Sequence, residues 1–183
     1  MHQLAAQWIV GLLRDRNIPF QICGGLAAKG YGSKRALNDI DLFVPGEHFA
    51  AVVQAGQANI SKPATHYCEE GWDLTYVQFK YGGIKVEVGN ADGAQIFDAA
   101  SQAWVPLNID FARYETVNLL GLELPLMFKD DLIRYKSVLS RPVDIDDIRA
   151  IRYATSISPS PSSDGHSAAI DHVLRPRDGG CQR

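Results

Sequence analysis

The chain has 183 residues, of which 46% are hydrophobic, and its 18 Lys and Arg against 21 Asp and Glu give a formal net charge of -3. This length and composition are typical of one globular domain with a substantial core. The acidic balance argues against a surface built mainly to hold nucleic acid, because phosphate contacts need a concentrated basic face.

The cysteines Cys23, Cys68 and Cys181 are scattered and show no Cys-x-x-Cys spacing. We therefore expect neither a zinc site nor a disulfide framework. The N-terminus has no basic stretch ahead of its apolar residues, and nowhere do about 18 apolar residues run together, as a membrane span would need. These features predict a protein of the reducing cytoplasm that has no membrane partner.

The first predicted elements alternate between helix and strand. Apolar residues recur at helical spacing over residues 3–16, and residues 20–23 form a short strand that ends at Gly24-Gly25. A turn of helix over residues 26–31 follows the glycines. Residues 39–44 then alternate acidic with apolar side chains, which predicts a second strand.

The rest of the chain predicts one more helix, two pairs of strands and two final helices, at residues 47–57, 74–79 with 84–88, 114–124, 126–139 and 144–154. The Tyr81-Gly82-Gly83 turn is typical of a hairpin, because its glycines tolerate positive φ. We expect an α+β fold, in which helices flank a short mixed β-sheet and the two C-terminal helices cover it.

From Ser156 onward the composition changes to Ser-Pro repeats and Gly pairs, with too few large apolar residues to bury. Such a composition is typical of disordered segments. The sequence therefore predicts one domain over residues 1–155 and a disordered tail over residues 156–183.

Two carboxylates on the second strand are the strongest functional signal. Asp39 and Asp41 are two residues apart, so on a strand they point to the same face. A pair of this kind repels itself unless a cation shares it, and hard oxygen ligands suit Mg²⁺ or Mn²⁺ holding a triphosphate. Taken alone, the pair could also be a solvated strand edge.

The context of this pair resembles the signature of the DNA polymerase beta-like nucleotidyltransferase superfamily. Gly24-Gly25 follows a strand and is separated from Asp39-Ile40-Asp41 by thirteen residues. The resemblance implies a nucleotidyltransferase fold and Mg²⁺-dependent transfer of a nucleoside monophosphate from a nucleoside triphosphate to an acceptor hydroxyl, with release of pyrophosphate. The glycines would let backbone N–H groups cradle the phosphates.

The run from Arg35 to Asp39 also resembles that of lincosamide and aminoglycoside nucleotidyltransferases. This resemblance implies that Arg35, with the preceding Ser33, binds the triphosphate, although Arg35 could equally be a solvated loop arginine.

The family further implies a third carboxylate on a neighbouring strand, as a metal ligand or as the base for the attacking hydroxyl. Glu87 is the candidate, because it lies opposite the apolar residues of its strand. Asp73 and Asp92 are weaker alternatives, and a plain surface role for Glu87 stays open.

The segments 129–136 and 141–148 resemble the helical pair of bacterial relatives that include the abortive-infection toxin nucleotidyltransferases. The resemblance implies that Lys136 meets a phosphate. Asp144 and Asp147 would orient this lysine, or Asp144 would simply cap the last helix.

The acceptor is left open by the sequence: a small hydroxyl compound, a tRNA end or a protein side chain are all compatible with it. A protein of another class is the alternative, namely a catalytically silent nucleotidyltransferase-fold module such as a toxin–antitoxin partner. The presence of Asp39, Asp41 and Glu87 speaks against that alternative.

Overall fold

The computed structural model describes residues 1–157. Within this range the chain forms five α-helices, one short 3-10 helix at Gln57–Asn59 and nine β-strands. In chain order they are α1 (His2–Arg14), β1 (Gln21–Ile22), α2 (Gly24–Gly30), β2 (Asp39–Val44), α3 (Gly46–Ala55), β3 (Ile60–Glu69), β4 (Trp72–Tyr81), β5 (Ile84–Asn90), β6 (Gln95–Asp98), β7 (Ala103–Pro106), β8 (Tyr114–Leu119), β9 (Leu122–Met127), α4 (Lys129–Leu139) and α5 (Pro142–Ile157). None of these helices is both long and apolar enough to span a membrane.

All nine strands belong to one sheet with the order β7-β6-β4-β5-β2-β1-β9-β8, and β3 pairs with β4 outside this path. The β2–β5 and β1–β9 pairs are parallel, whereas β1–β2 and β4–β5 are antiparallel. The α+β class and the mixed sheet are therefore confirmed, as is the hairpin between β4 and β5.

The main core lies between the sheet and α1. Ile40 and Leu42 of β2 are buried there, while the two aspartates that alternate with them point away. Trp8 of α1 packs edge-on against Phe79 at 5.5 Å and stacks on Tyr81 at 5.1 Å between ring centroids. The period-two pattern of β2 therefore leaves its acidic face on the side of the sheet that α1 does not cover.

The helices α2, α4 and α5 pack against one another, and α4 also contacts β6 and β9. The two C-terminal helices predicted from the sequence are thus present. The predicted start of α4 was wrong by three residues, because residues 122–127 form strand β9. At the other end α5 extends to Ile157, and the rest of the predicted tail lies outside the described residues.

Three strands were not predicted: β3, β6 and β7. Almost every residue of β3 is exposed, so the strand shows no alternation of apolar and polar side chains, and it contains Pro63. Strands β6 and β7 have only four residues each, too few for a periodic signal. The sheet is wider than predicted for this reason.

Candidate active site

Strand pairing brings three carboxylates to one face of the sheet. In the parallel ladder between β2 and β5, Asp41 lies directly opposite Glu87, and Asp39 lies opposite Lys85. Asp39, Asp41 and Glu87 line a cavity of about 580 Å³. This volume is typical of clefts that bind small molecules.

The alternative acids lie elsewhere. Asp73 shares a hydrogen bond with His66 across the β3–β4 ladder at 2.6 Å, and Asp92 lies against Gly46 at the start of α3. Neither lines the cavity. Among the three acids considered for the third position, the structure places only Glu87 beside the aspartate pair.

The acidic group is electrostatically unfavourable without a cation. Burial, followed by repulsion from Asp39 and Glu87, raises the pKa of Asp41 to about 7, although Lys136 and the backbone N–H of Gly25 oppose the shift. Burial and then Asp39 also raise the pKa of Glu87, against the opposing effect of Lys85 and Lys62. Asp41 and Glu87 therefore resist ionisation beside Asp39.

The donor chemistry fits a hard divalent cation, because the group offers carboxylate oxygens and excess negative charge. The side chains are not already drawn together, since no three His, Cys, Asp or Glu side chains within residues 1–157 are grouped at metal-binding spacing. Asp39, Asp41 and Glu87 are thus chemically suited to a cation, but their carboxylates are not already arranged around a single metal position.

Gly24 lies just after the end of β1 and packs against Asp41 of the acidic group. Its φ of +57° lies in the left-handed region, and its backbone N–H donates to the Tyr135 hydroxyl at 2.9 Å. The backbone N–H of Gly25 favours the charged form of Asp41 and so lowers its pKa. In the predicted phosphate cradle the N–H of Gly24 is therefore engaged by Tyr135, which an incoming phosphate would have to replace.

The predicted nucleotide-binding side chains Ser33, Arg35 and Lys136 converge on one carboxylate, that of Asp147. Arg35 binds it through two contacts, Nε to Oδ1 at 2.9 Å and Nη2 to Oδ2 at 3.1 Å. Ser33 Oγ donates to Oδ1 at 2.8 Å, and Lys136 Nζ lies 3.0 Å from Oδ2. Although burial opposes it, these contacts hold the pKa of Asp147 below its usual value.

Lys136 also binds Asp144, with its Nζ 2.9 Å from Oδ1, and Arg141 Nε donates to Oδ2 of the same residue at 2.7 Å. Lys136, Asp144 and Asp147 are almost fully buried. We call the five residues Arg35, Lys136, Arg141, Asp144 and Asp147 the ionic network. It ties the loop before β2 to α4 and α5, and its three cations against two anions leave it one positive charge.

Arg35, Lys136, Arg141 and Asp144 of this network line the cavity, whereas the buried Ser33 does not. Asp144 is not the N-cap of α5, which begins at Pro142, and its carboxylate instead bridges Lys136 and Arg141.

Several cavity-lining residues were not found from the sequence. Trp72 and Tyr76 of β4 point to the same face of the sheet as Glu87 and line the cavity. They were not chosen as site residues, because aromatic side chains on strands are more often part of the core. Tyr67 and Lys62 belong to β3, which was not predicted at all. Tyr135 could have been found only through its neighbour Lys136 on α4.

No protein-family model matches the chain, and no curated protein matches it. Solved structures do match. An inferred nucleotidyltransferase of Thermotoga maritima aligns with a TM-score of 0.63 at 17% identity, over 83% of this chain and 91% of the other.

Two antibiotic-modifying enzymes align as well. The lincosamide adenylyltransferase LnuA, solved with lincomycin, gives a TM-score of 0.55 at 13% identity over 81% of this chain and 94% of its own. ANT(2″)-Ia, solved with adenylyl-2″-tobramycin, gives 0.56 at 18% identity over 86% of this chain and 90% of its own. The chain therefore has the nucleotidyltransferase fold, as its resemblance to that superfamily implied.

Proposed function

We propose that this protein is a Mg²⁺- or Mn²⁺-dependent nucleotidyltransferase. It would move a nucleoside monophosphate from a nucleoside triphosphate to an acceptor hydroxyl and release pyrophosphate. The observation that carries this proposal is the register of β2 on β5, which sets Asp39, Asp41 and Glu87 on one face of a cavity in a nucleotidyltransferase fold.

The cation would be held by Asp39, Asp41 and Glu87. Burial, and then negative charge on neighbouring carboxylates that a cation would offset, raise the pKa values of Asp41 and Glu87. When bound, it would supply neutralisation of the triphosphate and alignment of the reacting groups.

Positive charge for the triphosphate would come from the ionic network. Arg35, Lys136 and Arg141 all line the cavity, and the network has one more cation than it has anions. Lys136 is almost fully buried, so its role would be to position other residues. It pairs with Asp144 and Asp147, and these pair in turn with Arg141 and Arg35. Since guanidinium groups have five donors, Arg35 and Arg141 keep N–H groups for phosphate oxygens after pairing.

Glu87 is suited to take the proton of the attacking hydroxyl. A carboxylate has two oxygens, so Glu87 can hold the cation with one and accept this proton with the other. As the acceptor oxygen bonds to the α-phosphorus and the bond to the pyrophosphate leaving group breaks, the proton would pass to a carboxylate oxygen of Glu87. The antibiotics bound by LnuA and ANT(2″)-Ia support a small-molecule acceptor.

The test is calorimetric titration with ATP, CTP, GTP and UTP, with and without Mg²⁺, of the native protein and of Asp39→Asn/Asp41→Asn. We expect one or more triphosphates to bind with Mg²⁺ and the double variant to lose that binding while it stays folded in circular dichroism. Asp15→Asn/Asp146→Asn removes the same charge from exposed positions and should bind normally. If the native protein binds none of the four, the proposal is wrong.

A further inference from the structure

We propose that the acceptor is a small hydroxyl compound that carries a phosphate or carboxylate group, and that Lys62 and Lys85 bind this anion beside Glu87. The inference rests on the proposed function and specifies the second substrate of the same site.

The strand register places the lysines in two rows across the acidic face. One row runs from Asp39 on β2 to Lys85 on β5 and Lys80 on β4. The next runs from Asp41 through Glu87 and Gln78 to Lys62 on β3. Residues paired in this way point to the same face. Lys62 and Lys85 therefore lie around Glu87, and both line the cavity.

Lys62 and Lys85 offset part of the negative charge of Glu87, because both lower its pKa. Within residues 1–157, Lys62, Lys80 and Lys85 form no ion pair. The polar contact of Lys62 is a hydrogen bond from Nζ to the Tyr76 hydroxyl at 3.4 Å. Lys80 and Lys85 are directly opposite each other, an arrangement that destabilises an antiparallel pair. Such a concentration of charge is favourable once an anion binds to it.

The position of the lysines distinguishes them from the cations proposed for the triphosphate. Gly24 follows β1, and Arg35 lies against Gly25, whereas Lys85 and Lys62 lie on β5 and β3, across β2 from β1. A triphosphate beside Gly24 and Gly25 would have Arg35 for its charge. The lysines therefore face the space that is left for the second substrate.

The remaining surroundings include aromatic side chains that suit the carbon skeleton of a small acceptor. Tyr67 and Tyr76 pack edge-on at 5.7 Å between centroids and line the cavity between the lysines and Trp72. Aromatic faces of this kind pack against the carbon skeleton of a substrate while the hydroxyl groups keep polar partners.

The experiment compares matched acceptors with and without the anion. The full chain is loaded with Mg²⁺ and an α,β-methylene triphosphate analogue, then titrated calorimetrically with glycerol, glycerol 3-phosphate and 3-phosphoglycerate. We expect the two anions to bind at least about tenfold more tightly than glycerol, as charge-assisted hydrogen bonds to two lysines would allow. Lys62→Gln/Lys85→Gln should remove this preference and leave the affinity for the triphosphate analogue unchanged.

The control is Lys34→Gln/Lys129→Gln, which changes the net charge equally at residues that do not line the cavity and should keep the preference. Equal binding of glycerol and the anions, tighter binding of tobramycin, or unchanged anion binding by Lys62→Gln/Lys85→Gln would each overturn the inference. So would transfer of label from an α-labelled triphosphate to a tRNA transcript in preference to the small anions. Failure of the triphosphate analogue to bind in the first place would locate the error in the proposed function.

Discussion

The backbone of Gly24 passes so close to Asp41 that a β-carbon on residue 24 would lie 2.0 Å from Asp41 Oδ2 and 2.9 Å from Asp41 Cβ. Asp41 would have to move to make room for that β-carbon. The observed position of the Asp41 carboxylate therefore requires that residue 24 has no side chain.

Gly24→Ala should consequently damage both stability and the acidic group. Alanine at a φ of +57° is strained by about 1–2 kcal/mol, and the added methyl group must also displace Asp41. Urea unfolding and Mg²⁺-dependent triphosphate binding would measure the two effects.

Gly82→Ala is the matched control, because Gly82 has a φ of +55° and no atom lies within 4 Å of the position that the added methyl group would take. It should show the backbone strain and keep the binding. If both variants lose the same stability and both still bind, the contact between residues 24 and 41 has no functional consequence.

The raised pKa of Asp41 predicts how the stability of the metal-free protein depends on pH. The folded state holds a proton up to a pKa of about 7, whereas the unfolded chain releases it at the ordinary, lower pKa. This contribution to stability is fully present below the unfolded pKa and is lost as the pH rises through about 7. Between pH 6 and pH 8 it amounts to about 1.4 kcal/mol for a single proton.

Urea unfolding in EDTA at several pH values would measure this contribution as the difference between the native protein and Asp41→Asn, which cannot titrate at that position. Asp146→Asn, at an exposed position, should keep the native pH dependence. Identical slopes for the native protein and Asp41→Asn would show that burial does not raise this pKa.

Lys136→Met should destabilise the fold strongly, because it leaves Asp144 and Asp147 buried with one cation fewer. Breaking a buried ion pair by removal of one partner typically costs about 3–5 kcal/mol. Arg134→Met removes an exposed cation from the same helix, paired with Asp131, and should cost less than about 1 kcal/mol. Urea unfolding of both variants checks the prediction, and a small effect of Lys136→Met would show that Arg35 and Arg141 suffice for the two aspartates.

Cys23 and Cys68 should differ in their reaction with iodoacetamide. Burial, and then Asp41, raise the pKa of the Cys23 thiol, so little of the reactive thiolate is present. Cys68 lies exposed on β3. In the native protein at pH 8, peptide mass spectrometry should find Cys68 alkylated well before Cys23, and in urea the two should react alike. Fast native alkylation of Cys23 would contradict its burial.

Local sequence patterns predicted much of the candidate site. The alternation over β2 sets Asp39 and Asp41 apart from Ile40 and Leu42, because side chains of a strand point to alternate faces. Gly24-Gly25 was recognisable because a local backbone requirement restricts which residues can occupy such a turn. The α+β class and the C-terminal helices likewise followed from periodicity within single segments.

Contacts between distant segments needed the tertiary structure. Nothing in the sequence near Arg35 indicates that it pairs with Asp147, 112 residues later in the chain. The position of Glu87 opposite Asp41 depends on the pairing and register of β2 with β5, since a shift by one residue would move Glu87 to the other face. Strand β3, which brings Lys62 to the site, has no periodic pattern because it is exposed on both faces.

By itself, then, the sequence determined which residues could serve chemistry: an acidic pair on a strand after a glycine turn, with a third acid and basic residues further along. The tertiary structure alone decided which of them meet, and that Lys136 is buried between two aspartates while Lys62 and Lys85 stay unpaired within residues 1–157 beside Glu87. The physical reason is that side-chain periodicity is a local property of the backbone, whereas ion pairing and burial depend on which segments pack together.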